Sequence, residues 1–341
     1  MRRGHEIMIP MRVISSALVA ALSLIAACDE SVEPETRVDV SNRVDRAEQL
    51  LSAGKAADAD AIVDILLVQH SDDWRVHDLA ARIHLQQGIR LRDGGLIEQS
   101  QAEFLQAVAA YQKATALVPA LAGLYTSAGN AAVMAGDEQQ ANDWYREAIG
   151  LDAEDARPPL YLAQLVFDEN PAEARELLEW VISMDSNIAE AHASIALLNA
   201  IDGDAGAAKA AMSEALRSDR GPAIRVVQAR MFRTLGEPER GVEILLATES
   251  HGRTTEAAAG ELAACWEAIG RPDRSAQAWD NCFAANAHRT DAWRFALNAA
   301  RAHLEAGDRS GAARSIGQAE MLSAPADELA AVRALAAGQG E

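Results

Sequence analysis

The chain has 341 residues, 49% of them hydrophobic and 4% aromatic, and its formal net charge at pH 7 is -20. A chain of this length can bury a large core, and its abundance of Ala, Leu and Glu favours helix. The acidic balance opposes sequence-independent binding to nucleic acid and docking on anionic lipid through a basic patch, because both need a cationic surface.

The first 27 residues have the layout of a secretory signal. Residues 1–12 carry three arginines and one glutamate, and residues 13–27, VISSALVAALSLIAA, are uncharged and mostly apolar. This run is shorter than the ~20 residues that a membrane-spanning helix needs. A charged start, an apolar run and small residues at its end predict a signal peptide over 1–27, with translation beginning at Met1, Met8 or Met11.

The run ends in IAAC, and its last residue is Cys28. This ending resembles the lipobox of bacterial lipoproteins, which implies that Cys28 is the lipidated first residue of the mature chain. The implied location is the bacterial cell envelope, lipid-anchored and facing the periplasm or the cell exterior, with inner and outer membrane both open. The alternative is an ordinary signal peptide that contains a chance cysteine.

An acidic stretch follows the cysteine. Residues 29–40, DESVEPETRVDV, contain five acidic residues and one proline. Such a composition cannot bury enough apolar surface to fold alone. We therefore expect residues 28–40 to form a flexible tether.

A repeating pattern fills most of the remaining chain. In Leu124–Asp155 the positions that carry the pattern are aromatic, small or turn-forming: Tyr125, Ala128, Gly129, Ala132, Gly136, Ala141, Tyr145 and Ala148. This segment resembles one unit of the tetratricopeptide repeat (TPR) family, whose units are 34-residue helical hairpins, although Ala153 stands where that family usually has proline. Similar segments give eight units across about 40–324.

The resemblance implies an all-α fold, an α-solenoid of about eight TPR hairpins over residues 41–324. A lone hairpin cannot bury both of its faces, so the units stack. Residues 325–338 have helical periodicity without a partner helix, which predicts a C-terminal capping helix.

In six of the eight units a glycine occurs where one helix should end: Gly54, Gly136, Gly203, Gly236, Gly270 and Gly307. Glycine tolerates the left-handed conformation that commonly ends a helix. Asp137, Asp204 and Asp308 follow directly and are predicted to cap the next helix.

One unit is too long for the pattern. Residues 74–121 exceed the template by 14 residues, and a turn signal, Asp93-Gly94-Gly95, lies in their middle. Two overlong helices meeting there would project their tip past the neighbouring units. The apolar tip residues are candidates for a docking knob: Ile89, Leu91, Leu96 and Ile97. The alternative is that the longer helices pack on each other or on the first unit.

Residues that can act in catalysis or metal binding are present, but they form no recognisable motif. No glycine-rich loop follows a strand, and no nucleophile motif occurs. His77 and His84 lack a third ligand, so packed histidines are expected rather than a metal site. Cys265 and Cys282 share a hairpin but are offset along it by more than a disulfide accepts, so two reduced thiols are expected. We expect no enzyme activity, no cofactor and no metal.

The family resemblance implies a concave groove lined by the first helix of each hairpin. The candidate groove residues are Arg82, Asn130, Gln164, Phe167, Arg230, Arg233 and Arg301. Arg230, Arg233 and Arg301 could form a cationic strip suited to an acidic peptide or polymer; the alternative is that nearby glutamates pair with them. Of the carboxylate clamp found in some family members, only Asn130 is present.

These features favour a non-catalytic scaffold that binds a protein or peptide and acts in the assembly or regulation of a bacterial envelope complex. The expected partners are a protein or peptide, and the membrane through the lipid anchor, with no nucleic acid. The alternatives are a regulatory subunit of an envelope enzyme complex and a protein that binds glycan directly.

Overall fold

The computed structural model describes residues 37–249 and 255–338, and these residues form seventeen helices and no strand. The predicted signal segment and Cys28 lie outside the described residues. In chain order the helices are α1 (Arg37–Ser52), α2 (Ala56–Gln69), α3 (Trp74–Asp93), α4 (Ile97–Leu117), α5 (Ala122–Met134), α6 (Glu138–Leu151), α7 (Arg157–Leu165), α8 (Pro171–Met184), α9 (Ala189–Ile201), α10 (Ala205–Ser218), α11 (Pro222–Thr234), α12 (Pro238–Glu249), α13 (Glu256–Ala268), α14 (Pro272–Asn286), α15 (Trp293–Glu305), α16 (Arg309–Met321) and α17 (Ala326–Gly338).

Successive helices pair as eight hairpins, from α1 with α2 to α15 with α16, and each hairpin packs on the next. The unpaired α17 lies against both helices of the last hairpin. The prediction of an all-α solenoid of eight hairpins with a final capping helix is confirmed.

The array begins earlier than expected. Helix α1 starts at Arg37, within the stretch that the sequence suggested as tether, and Val40 is only 5% exposed. The apolar side chains of Val40 and Val44 join the first core cluster, which explains why the helix extends this far.

The six predicted glycines all adopt positive φ, between 73° and 81°. At the first of them, the Gly54 N–H donates to the Leu51 carbonyl and the Lys55 N–H donates to the Leu50 carbonyl. The same two bonds recur at the other five glycines and satisfy helix-terminal carbonyls that would otherwise lack a donor. The predicted turn chemistry is confirmed.

The predicted helix caps are confirmed as well. The carboxylates of Asp137, Asp204 and Asp308 accept hydrogen bonds from the backbone N–H groups of Gln140, Ala207 and Gly311. Such a cap stabilises a helix by about 1 kcal/mol.

The fourth hairpin turns differently. Its first helix, α7, is only nine residues long, and the turn of residues 166–170 contains no glycine. Asn170 caps α8 by accepting from the Glu173 N–H. Without a glycine, the chain uses a longer turn to reach the second helix.

Close helix approach within a hairpin depends on small residues that face large rings. A Cβ added at Gly129 would lie 2.4 Å from the Tyr145 ring, and one at Gly88 would lie 2.5 Å from the Phe104 ring. Tyr145 and Phe104 are each 2% exposed, so neither ring has room to move.

The core continues from hairpin to hairpin. One cluster joins Ala200 of α9, Met212 of α10 and Phe232 of α11, which belong to two successive hairpins. At the end of the array, Leu329 and Val332 of α17 cover the apolar face left by the last hairpin. Each hairpin therefore relies on its neighbour for burial.

Among the described helices, none combines the length and apolar content that crossing a bilayer requires.

We predict opposite effects for two alanine substitutions in α5. Gly129→Ala should lower stability by about 1–3 kcal/mol because the new methyl group overlaps the buried Tyr145 ring. Gly123→Ala, at a position with no atom within 4 Å, should be neutral or stabilising by up to about 1 kcal/mol. Urea unfolding monitored by circular dichroism compares the two midpoints, and equal shifts would contradict this packing.

Candidate functional site

The first helices of the hairpins form the inner side of the array. Helix α9 packs on α11, and α11 packs on α13, while second helices pack mainly on their own hairpin and on the next first helix. First helices of successive hairpins contact one another more than second helices do, so the first helices are more closely spaced. The array therefore curves toward the side of the first helices. We call the solvent-facing side chains of α1, α3, α5, α7, α9, α11, α13 and α15 the inner surface.

Most of the candidate arginines on the inner surface are already paired. Arg233 Nε lies 2.6 Å from Glu261 Oε1, and Arg301 Nη2 lies 3.2 Å from Glu328 Oε2. The hydrogen bonds to Glu261 raise the pKa of Arg233. The first pair joins α11 to α13, and the second joins α15 to the capping helix α17. These arginines therefore form no unpaired cationic strip, and the alternative of pairing with nearby glutamates describes them correctly.

Arg82 is paired in the same way at the start of the array. Its guanidinium lies 3.0 Å from Glu48 of α1 and 3.5 Å from Asp78, one turn earlier on α3. Burial raises the pKa of Asp78, and the nearby Arg82 opposes that rise. An open cleft of about 440 Å³ adjoins this cluster, lined by Asp45, Glu48, Gln49, Ser52 and Arg82.

The partner of Asn130 also comes from the protein itself. The Tyr145 hydroxyl donates a 2.8 Å hydrogen bond to Asn130 Oδ1. Burial raises the pKa of Tyr145, so this phenol remains a donor at physiological pH. The Asn130 amide nitrogen is the group left to meet a ligand.

Phe167 does not belong to the inner surface. It lies beyond the end of α7, in the turn of the fourth hairpin, and its half-buried ring packs against the two core clusters on either side. The sequence placed it on the helix because the turn glycine that would have marked the helix end is absent.

Two candidates remain open to a ligand. Gln164 on α7 and Arg230 on α11 are exposed, and neither side chain makes an ion pair or hydrogen bond with any described residue. Among the seven candidates, three arginines are therefore paired, and Arg230 is the one arginine without a partner among the described residues.

The overlong hairpin ends at the predicted turn, but its apolar residues are not equally available. Ile89 is half-buried and packs on the core, and Leu91 is half-buried, whereas Leu96 and Ile97 are 37% and 43% exposed. The tip also contacts a distant part of the chain instead of ending in solvent. Replacing Ile89 would disturb packing, so it is unsuitable as a probe of docking.

Cys265, Cys282, His77 and His84 lie in packed or hydrogen-bonded positions. Cys265 and Cys282 form no disulfide with each other, and both are fully buried and located in different core clusters. Burial raises the pKa of Cys265 to about 12. His77 Nε2 lies 2.8 Å from the Ser71 carbonyl, and His84 Nδ1 lies 2.8 Å from Glu103. No group of three or more His, Cys, Asp or Glu side chains suited to a metal ion occurs in the described part of the chain.

A chain of stacked helical hairpins is an α-solenoid. Three solved structures of this class are similar to the chain. A tetratricopeptide repeat protein from Parabacteroides merdae is 14% identical, with a TM-score of 0.51 over 75% of this chain and 98% of its own. Yeast Tom70 is 13% identical, with a TM-score of 0.61 over 90% of this chain and 65% of Tom70. PilW, a type IV pilus biogenesis factor, is 12% identical, with a TM-score of 0.52 over 66% of this chain and 98% of PilW.

These likenesses establish the fold. The hairpins of this chain are tetratricopeptide repeats in structure, as the sequence resemblance implied. No protein-family model matches the sequence, and the search of curated proteins finds no match.

We predict that neither Cys265 nor Cys282 reacts with a thiol reagent in the folded protein. Reaction requires an accessible thiolate, and both residues are fully buried. At pH 8 the Cys265 thiol, whose pKa burial raises to about 12, is also ionised to only about one part in ten thousand. Iodoacetamide labelling with peptide mapping should modify both residues only after guanidinium unfolding. Rapid labelling of either one under native conditions would contradict the buried placement.

Proposed function

We propose that the protein is a non-catalytic scaffold that binds a protein or peptide on its inner surface while anchored to the bacterial envelope through Cys28. The observation that carries the proposal is the packing of first helices on one another in successive hairpins: α1 on α3, α5 on α7, α9 on α11 and α11 on α13. A curved row of helices offers polar contacts at regular intervals, which suits a long, extended ligand better than a small molecule.

The chemistry of the inner surface supports an extended peptide. The exposed Gln164 amide and the remaining amide nitrogen of Asn130 can bond to peptide backbone groups of any sequence. The ion pairs Arg233–Glu261 and Arg301–Glu328 neutralise two of the arginines in the C-terminal half of the inner surface. Binding would then depend on shape and backbone contacts, with Arg230 as the attractive point for a carboxylate.

The envelope assignment rests on the signal segment and Cys28. An apolar run ending in small residues, a cysteine and then an acidic polar run suit a lipid-anchored protein of a secretion pathway. Two or three acyl chains on one residue anchor firmly, at about 0.8 kcal/mol per buried methylene. A scaffold held at the membrane in this way would serve the assembly or regulation of an envelope complex.

We predict that charge reversal at Arg230 weakens partner binding. The full-length protein is used as bait on detergent-solubilised bacterial envelope, and retained proteins are identified by mass spectrometry. Arg230→Glu should lower the retained amount of a specific partner about three- to tenfold, because an attractive guanidinium becomes a repulsive carboxylate. Protease treatment of the extract should abolish the retention.

The matched control is Arg217→Glu. Arg217 is an equally charged, exposed residue on α10, a second helix outside the inner surface. It should retain the partner as the unmodified chain does. Equal losses for both variants would point to net charge instead of the inner surface, and retention of polysaccharide alone would refute a protein-binding scaffold.

We predict that Cys28 is the acylated residue. In a lipoprotein-competent bacterial host grown with an alkyne analogue of palmitate, the full chain should become labelled and partition into detergent. Cys28→Ser should abolish both behaviours, because the thiol is the acceptor of the diacylglycerol group. An unlabelled wild-type chain would remove the anchor from the proposal without affecting the binding surface.

A further inference from the structure

The tip of the second hairpin contacts the connection between α14 and α15. The Gly94 carbonyl accepts hydrogen bonds from the Thr290 N–H and the Thr290 hydroxyl, each 3.2 Å long. Arg289 Nη2 donates to the Arg92 carbonyl at 3.2 Å. These partners are 196 and 197 residues apart in the chain. The second hairpin therefore touches the junction of the seventh and eighth hairpins.

The extra length of the second hairpin explains how its tip reaches so far. Helices α3 and α4 have 20 and 21 residues, whereas α5 and α6 of the next hairpin have 13 and 14. About seven additional residues in each helix extend the tip by roughly 10 Å at 1.5 Å per residue. A hairpin of ordinary length would end before it met residues 289–291.

The contact joins complementary groups. Arg92 and Gly94 lie at the C-terminus of α3, where carbonyl groups lack helical donors and the helix dipole favours a cation. The Arg289 guanidinium meets this end while it also binds Asp291 through two 2.8 Å contacts. Its pKa is raised chiefly by the bond to Asp291, with a further contribution from Asp93 of the tip. Asp291 is only 2% exposed, so the distant segment is itself held in a defined geometry.

Gly95 fits this contact for two separate reasons. Its φ is +78°, which disfavours any side chain, and an added Cβ would lie 2.5 Å from both the backbone nitrogen and Oδ1 of Asp291. The six turn glycines of the other hairpins have similar φ values but no atom within 4 Å of such a Cβ. Close approach of another part of the chain is thus specific to Gly95.

We propose that Arg92–Gly95 and Arg289–Asp291 form an intramolecular clasp that closes one turn of the superhelix. The clasp links the second hairpin directly to the end of the seventh. The hairpins between them are therefore held at both ends, and their total curvature is fixed. It fixes the spacing of the inner surface, and the array widens only when the clasp opens. This inference does not depend on what the inner surface binds.

The test compares Gly95→Ala with Gly136→Ala in the full chain by hydrogen exchange. Both substitutions place a methyl group on a positive-φ residue, but only the first meets the opposing segment. Gly95→Ala should speed exchange of the Thr290 amide at least about tenfold, because that N–H loses its acceptor, and should increase the radius of gyration measured by X-ray scattering. Gly136→Ala should leave both unchanged.

A crosslink tests the closed state directly. In a chain carrying Gly94→Cys and Thr290→Cys, mild oxidation should form a 94–290 disulfide that peptide mapping detects, since the backbones are already in hydrogen-bond contact. Adding Gly95→Ala to this pair should slow its formation. Failure to crosslink, or identical Thr290 exchange in the two alanine variants, would overturn the clasp.

Discussion

Each hairpin of this protein has an apolar face that only the next hairpin can cover, and the rest of the structure depends on that constraint. Met212 and Phe232 lie on neighbouring hairpins yet belong to one cluster, so removing either hairpin would expose the other. The abundance of alanine follows, because helices in three-way contact need small residues at the crossings. The constraint also requires a terminal element: without α17, the last hairpin would expose Ala312 and Ala319 to water.

The charged side chains of the inner surface also depend on neighbouring hairpins for their partners. Arg82 and Arg233 each pair with a glutamate on an adjacent first helix, and Arg301 pairs with Glu328 of the capping helix. Exposed ion pairs of this kind stabilise by about 0–1 kcal/mol, although the Glu261 side chain, 9% exposed, is more desolvated than the others. Their larger effect is on recognition: they neutralise the arginines that would otherwise attract acidic ligands along the whole groove.

The features that sequence predicted well act over short distances. Gly136 and Asp137 determine a helix end and a helix start within about six residues, so the sequence alone reveals them. The sequence offers pairing of Arg233 with a nearby glutamate only as an alternative and does not single out Glu261. The pair spans 28 residues, close to one repeat, so a search for acids one repeat away would have found it. Ile89 was placed on an exposed tip because its burial depends on how α3 and α4 pack, which the 14-residue insertion alone does not specify.

The contact between Gly94 and Thr290 lies beyond sequence reasoning, because it depends on a rotation that accumulates over the five hairpins between them. That origin also gives it a distinct mechanical effect. In an array held only by neighbours, bending at one interface leaves the others unaffected. A contact that spans five hairpins couples all of their interfaces, since a change of angle at any one of them displaces Thr290 from Gly94. A ligand that needs a wider groove must therefore break the clasp as well as bend the array, and a ligand that fits the closed turn meets a surface already held in place.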